Sequence, residues 1–125
     1  YLFTEDELAA VEMPSMLMFG EREKSQTRGA ATMGALTEKI YGALSPPKCL
    51  LEIRRAHHFS FSSALTDGWA GWFLSGTDAQ YAVIRRYAVA FLERHVALQQ
   101  PGASPVLDAR DPLLTRYLRE PGPLE

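Results

Sequence analysis

The chain has a single cysteine among 125 residues, so it cannot form a disulfide within itself. That residue, Cys49, lies in an apolar run and reads as a small buried hydrophobe rather than a nucleophile. No apolar run reaches the roughly 18 residues that a membrane-spanning helix needs. An excess of basic charge is missing as well. Thirteen Lys and Arg stand against 15 Asp and Glu, for a formal charge of −2. That balance gives no nucleic-acid footprint and no polybasic membrane patch, so the expected partners are small molecules or proteins. The three histidines do not fall at the His/Cys/Asp spacing of a zinc site, and no repeat or low-complexity stretch interrupts the chain. Nothing in this composition sets a cellular compartment.

What is present is an ordinary globular composition, 46% hydrophobic and 22% charged, with its most informative stretch at Cys49 to Phe61. Pro46-Pro47 introduces a short apolar run, Cys49-Leu50-Leu51-Glu52-Ile53, which predicts a buried strand leading into His57 and His58 among aromatics. Upstream, Ser15 to Phe19 is apolar without alternation and is stopped by Gly20 and the cluster Glu21-Arg22-Glu23-Lys24. This predicts a second strand covered on both faces, as in a parallel sheet. Between them Met33, Leu36, Ile40 and Leu44 recur at helical spacing, predicting a helix from about Thr27 to Ala43. Strand, helix and strand make a βαβ unit whose parallel strands end on the same edge, where ligands bind in open α/β sheets.

The flanks are simpler. Thr4 with Glu7 has the form of a capping box before a short helix. The Gly-, Ser- and Trp-rich stretch from Ser62 to Gly76 reads as a loop, in which Trp69, Trp72 and Phe73 either line a pocket or pack on the next helix. Thr77 or Asp78 caps a long amphipathic helix with Ile84, Ala88, Phe91, Leu92 and His95 on one face. Residues 101–125 form a tail in which Asp111-Pro112 resembles a helix start, with Leu113, Leu114 and Leu118 as a small apolar face. Two parallel strands leave open rows of backbone donors and acceptors. Further strands are therefore expected from sequence upstream of Tyr1, which makes the chain a fragment of a larger α/β domain.

The order of these elements resembles the C-terminal part of an α/β-hydrolase, particularly the dienelactone hydrolase and acetylhydrolase-like esterases. The resemblance runs from about Val11 to Leu98. It rests on Met13-Pro14-Ser15-Met16-Leu17-Met18-Phe19-Gly20-Glu21, on Ile53 to Phe61 and on Tyr87 to His95. It implies that residues 1–100 hold the last two parallel strands of the hydrolase sheet with flanking helices, and that the chain serves a serine hydrolase of ester, lactone or acyl bonds. In the family the last strand delivers the catalytic histidine as Ala-x-His with a phenylalanine three residues on. Ala56, His58 and Phe61 match that frame, which implies His58 as the base. The acid usually stands as Gly-x-x-Asp after the preceding strand. Here Gly20-Glu21-Arg22-Glu23 puts Glu23 in that place, a departure by one methylene, while some relatives take the acid from an earlier strand.

Physical reasoning about the residues runs alongside. Imidazole has a pKa suited to a general base at neutral pH, and a rigid strand can hold it in place. Its orienting acid should sit at the neighbouring strand end, about 4.8 Å away. No serine stands in a Gly-x-Ser-x-Gly frame, so the nucleophile is expected outside this chain. The chemistry calls for no cofactor and no metal. A noncatalytic α/β interaction module, with His57, His58 and His95 incidental and Glu23 part of a solvated charge cluster, remains the alternative from another class. A peptidase or thioesterase of the same fold is the alternative within enzymes. Glu21 is assigned no role.

Overall fold

The computed structural model describes residues 3–61, 76–96 and 105–122 of the chain. The first helix, α1 (Glu5–Ala9), starts at the expected capping box: Thr4 Oγ1 accepts from the Glu7 N–H while the Glu7 carboxylate accepts from the Thr4 N–H. That bond from the backbone holds the Glu7 carboxyl below its ordinary pKa.

Strand β1 (Ser15–Gly20) follows, then a 3₁₀ turn at Glu21–Glu23. A two-residue-stranded hairpin of β2 (Thr27–Arg28) and β3 (Ala31–Thr32) comes next. It shortens the expected helix from Thr27, because Gly29 takes φ +68 at the hairpin turn and the chain folds back before it can coil. Helix α2 (Met33–Ala43) begins only where the Thr32 hydroxyl accepts from the Ala35 N–H.

Strand β4 (Lys48–Ile53) is buried at every residue and forms the centre of a three-stranded sheet. It pairs parallel with β1, Leu17 facing Leu50 and Gly20 facing Ile53, so the two strands end together as the βαβ reading requires. On its other side lies β5 (Leu114–Glu120), antiparallel. This corrects two expectations. The sheet portion is three strands of mixed direction rather than two parallel ones, and the tail forms a strand where a short helix was expected. Asp111 does begin a local turn, its carboxylate accepting from the Leu113 N–H. The next residues, Leu114-Thr115-Arg116-Tyr117, gain more from laddering onto the open edge of β4 than from a helix too short to hold its own backbone bonds.

Period-two alternation along β4 sends side chains to two layers. Leu50 packs with Phe19 and Tyr41, flanked by Leu17 and Leu118. Cys49, Leu51 and Ile53 pack with Val83, Tyr87, Ala90 and Phe91 of helix α3 (Asp78–His95) and with Leu107. The result is a helix, sheet, helix sandwich. β1 is the edge strand of this sheet among the described residues: its first four residues are only half-buried, although Met16 and Met18 pack on one core and Leu17 on the other.

Helix α3 starts at Thr77, whose hydroxyl and backbone exchange bonds with Gln80 in a capping box. Its inward row is Val83, Tyr87, Ala90 and Phe91, one step round from the expected face, and Leu92 is 53% exposed. Tyr87 decides the rotation. Its hydroxyl donates to the Ala109 carbonyl at 2.5 Å and accepts from the Asp111 N–H at 2.9 Å, tying α3 to the segment that enters β5. Burial raises the Tyr87 pKa accordingly.

Two buried charges are absorbed locally. Lys48 Nζ donates to the carbonyls of Tyr41 and Leu44 at 2.9 and 2.8 Å and so closes the C-terminus of α2, with Glu120 3.4 Å away. Burial, reinforced by that carboxylate, pushes the Tyr41 hydroxyl up to about 12. Glu52, the one charge in the apolar run, accepts from Lys24 Nζ at 3.3 Å and from the Thr115 hydroxyl at 2.8 Å. The stretch 62–75, with Trp69, Trp72 and Phe73, lies outside the described residues.

Candidate active site

The carboxyl ends of β1 and β4 carry the two residues singled out from sequence, and the structure brings them together. His58 opens a 3₁₀ turn at His58–Phe61. Its Nδ1 lies 3.2 Å from Oε1 of Glu23 across 35 residues of chain. A carboxylate can only accept, so this contact places the ring proton on Nδ1 and makes Nε2 the proton-accepting atom of the neutral imidazole.

The two partners differ sharply in exposure. Glu23 retains 6% of its surface, whereas the His58 side chain is 81% exposed. A buried carboxylate needs hydrogen bonds to stay charged, and the second oxygen of Glu23 accepts from the Gly20 N–H at 2.8 Å. One carboxylate thus closes its own turn with one oxygen and faces the imidazole with the other.

The approach of turn and histidine loop is close enough to dictate residue type. A Cβ added to Gly20 would sit 2.3 Å from the Ala56 carbonyl oxygen, so only glycine lets the strand ends meet. The same carbonyl accepts from the Arg22 N–H at 2.9 Å. Beyond it, His57 is half-buried, and its N–H donates to the hydroxyl of the buried Ser60 at 3.1 Å while the Ser60 N–H donates back to the His57 carbonyl at 2.8 Å. Adjacent histidines therefore have different surroundings: the His58 ring meets the acid, and the His57 backbone is tied to Ser60. His95 lies elsewhere, its ring 4.6 Å from that of Phe91 on α3.

No match was found for this chain among protein-family models, curated proteins or solved structures. The site must be judged on its own chemistry.

Three residues near the pair were not read from sequence. Glu21, assigned no role, accepts the Arg55 N–H on its Oε2 at 2.7 Å. Gln80 Nε2 donates to the Arg54 carbonyl at 2.8 Å, so the capping residue of α3 also holds the start of the histidine loop. Ser60 fastens the far end. Only Gln80 left a trace in the sequence, as the third position of a capping box; Glu21 acts across 34 residues of chain, and the Ser60 pairing with His57, though local, follows no sequence motif. A cleft of about 700 Å³ lies along α2, lined by Phe3, Arg28, Met33, Leu36 and Ile40 among others, and none of its lining residues comes from the histidine loop. Among the described residues no group of three His, Cys, Asp or Glu gathers as a metal site, and no helix is long and apolar enough to cross a membrane.

Proposed function

We propose that this chain supplies the base and the acid of a serine-hydrolase triad acting on a carboxylic ester, lactone or related acyl bond. The observation that carries the reading is the Nδ1 to Oε1 contact of His58 with a buried Glu23 at the ends of two adjacent parallel strands. In the reaction, Nε2 of His58 takes the proton from a serine hydroxyl as its oxygen bonds to the acyl carbon. The imidazolium then returns the proton to the leaving oxygen as the carbon–oxygen bond breaks. Glu23 holds the tautomer that makes Nε2 a base and steadies the positive ring between these steps. Water repeats the sequence to release the acid. The serine nucleophile is expected from outside this chain, which has no Gly-x-Ser-x-Gly frame.

A second reading has its own observation. The Glu23 carboxylate also accepts from the Gly20 N–H, so in a noncatalytic α/β interaction module it would be a turn cap, and His58 a surface residue. Hydrolysis of nitrophenyl acetate by the polypeptide that carries this chain separates the two. His58→Ala should lower kcat by about 10³ or more, as loss of a triad base does, while His57→Ala should cost about tenfold or less. Equal, small losses from both substitutions favour the module, and the larger loss at His57 moves the base to that residue.

A further inference from the structure

We propose that Glu21 is the positioning residue that aims His58, by holding Arg55 in a backbone conformation that its side chain disfavours. The inference rests on the reading of His58 as the base. Arg55 has φ +56, the left-handed region in which a residue with a Cβ is crowded by its own backbone. It is the only non-glycine residue in that region among those described. Its place is also particular: it stands between the last residues of β4 and the loop that delivers His57 and His58, where departures from ordinary backbone geometry tend to serve a site.

The bonds around Arg55 say what keeps it there. The residue before it is fixed on both sides, the Arg54 N–H donating to the Leu113 carbonyl at 2.8 Å and the Arg54 carbonyl accepting from Gln80. The residue after it is fixed as well, the Ala56 N–H donating to Ile53 at 3.2 Å and the Ala56 carbonyl accepting from Arg22. Between these pins the N–H of Arg55 itself goes to Glu21 Oε2 at 2.7 Å, a charge-assisted bond from a half-buried carboxylate 34 residues away.

The turn at Glu21–Glu23 therefore grips the histidine loop at three successive points. Glu21 takes the Arg55 N–H, the Arg22 N–H reaches the Ala56 carbonyl, and Glu23 meets the His58 ring. Release of the first grip lets Arg55 relax toward negative φ. That rotates the following peptides and carries the imidazole off Glu23.

The test is a rescue. In ¹⁵N spectra of the polypeptide that carries this chain, His58 should show the tautomer with its proton on Nδ1. Glu21→Ala should shift that ring toward a mixture of tautomers and speed hydrogen exchange of the Arg55 amide about tenfold or more. Adding Arg55→Gly should restore the Nδ1 tautomer, because glycine adopts positive φ without help. Glu21→Gln, which keeps an acceptor at the same reach, should stay near wild type and serves as the folded comparison if Glu21→Ala does not fold. Arg55→Gly alone should keep the wild-type tautomer. An unchanged His58 signal in Glu21→Ala, or failure of Arg55→Gly to restore it, overturns the proposal. These signals are read without substrate, so they stand or fall separately from the hydrolase reading, which fails instead if no ester is turned over.

Discussion

Glu23 is the residue on which two accounts of this surface diverge, because its carboxylate has two acceptor oxygens and uses them differently. The bond from the Gly20 N–H is structural and neutral on its donor side. The contact with His58 reaches a ring that is mostly in solvent, where an ion pair alone is worth little. Its value to the protein is therefore orientation more than stability. Glu23→Gln keeps the shape and an acceptor oxygen but loses the charge that steadies an imidazolium. The related aspartate-to-asparagine change in a serine-protease triad costs about 10⁴ in kcat. Here the expected loss in the polypeptide carrying this chain is at least about 10² in kcat with little change in Tm. A fall in Tm with unchanged turnover would assign Glu23 to the turn alone.

Between elements, the most consequential joint is that of α3 with the segment entering β5, and it hangs on one hydroxyl. Tyr87 is buried, and its oxygen serves both the Ala109 carbonyl and the Asp111 N–H. Tyr87→Phe leaves two backbone groups short of a partner at the cost of very little volume. Loss of such a buried partner costs about 1–3 kcal/mol, so thermal melting of the variant should show a Tm several degrees lower while β1, β4 and the His58 contact stay intact in NMR spectra. An unchanged Tm would mean that water replaces the hydroxyl. This joint also marks where sequence reading stops. Strands β1 and β4, their parallel pairing and the Thr4 and Thr77 caps follow from local pattern, because apolar runs and capping boxes are signals within a few residues. The strand β5 is invisible by that route. Asp111-Pro112 is a valid helix start locally, and what draws Leu114 to Glu120 into a strand is the vacant edge of β4, some 60 residues earlier in the chain. The same holds for the inward row of α3, where Val83 and Ile84 are both apolar and the Tyr87 hydroxyl settles the choice. At the site, strand-end position pointed to the two loops, and the frames of the family that the chain resembles singled out His58 and Glu23; their contact is what the structure adds, while the roles of Glu21, Gln80 and Ser60 arise from backbone groups that sequence does not display.

At the scale of the whole molecule, the two outer strands of the sheet are unlike. β5 carries Arg116, Arg119 and Glu120 along its length, and Arg119 pairs with Asp108 at 2.7 Å. Hydrogen bonding by Arg94, with Arg119 nearby, holds the Asp108 carboxyl below its usual pKa. Charges of this kind blunt an edge against further pairing. β1 has none: Ser15-Met16-Leu17-Met18-Phe19-Gly20 is uncharged throughout. Met16 and Met18 lean on one core and Leu17 on the other. Such a strand is built to be covered on both faces and paired on both sides. Under the proposed hydrolase function, further strands of the sheet would continue from that edge, and the serine would come from outside residues 1–125. Labelling with a fluorophosphonate probe tests this most directly, using the polypeptide that carries this chain and mapping the modified residue by mass spectrometry. The account predicts one phosphonylated serine, outside residues 1–125, with labelling slowed about 10²-fold or more by His58→Ala. Absence of any labelled serine, or labelling that proceeds at the same rate without His58, would contradict it.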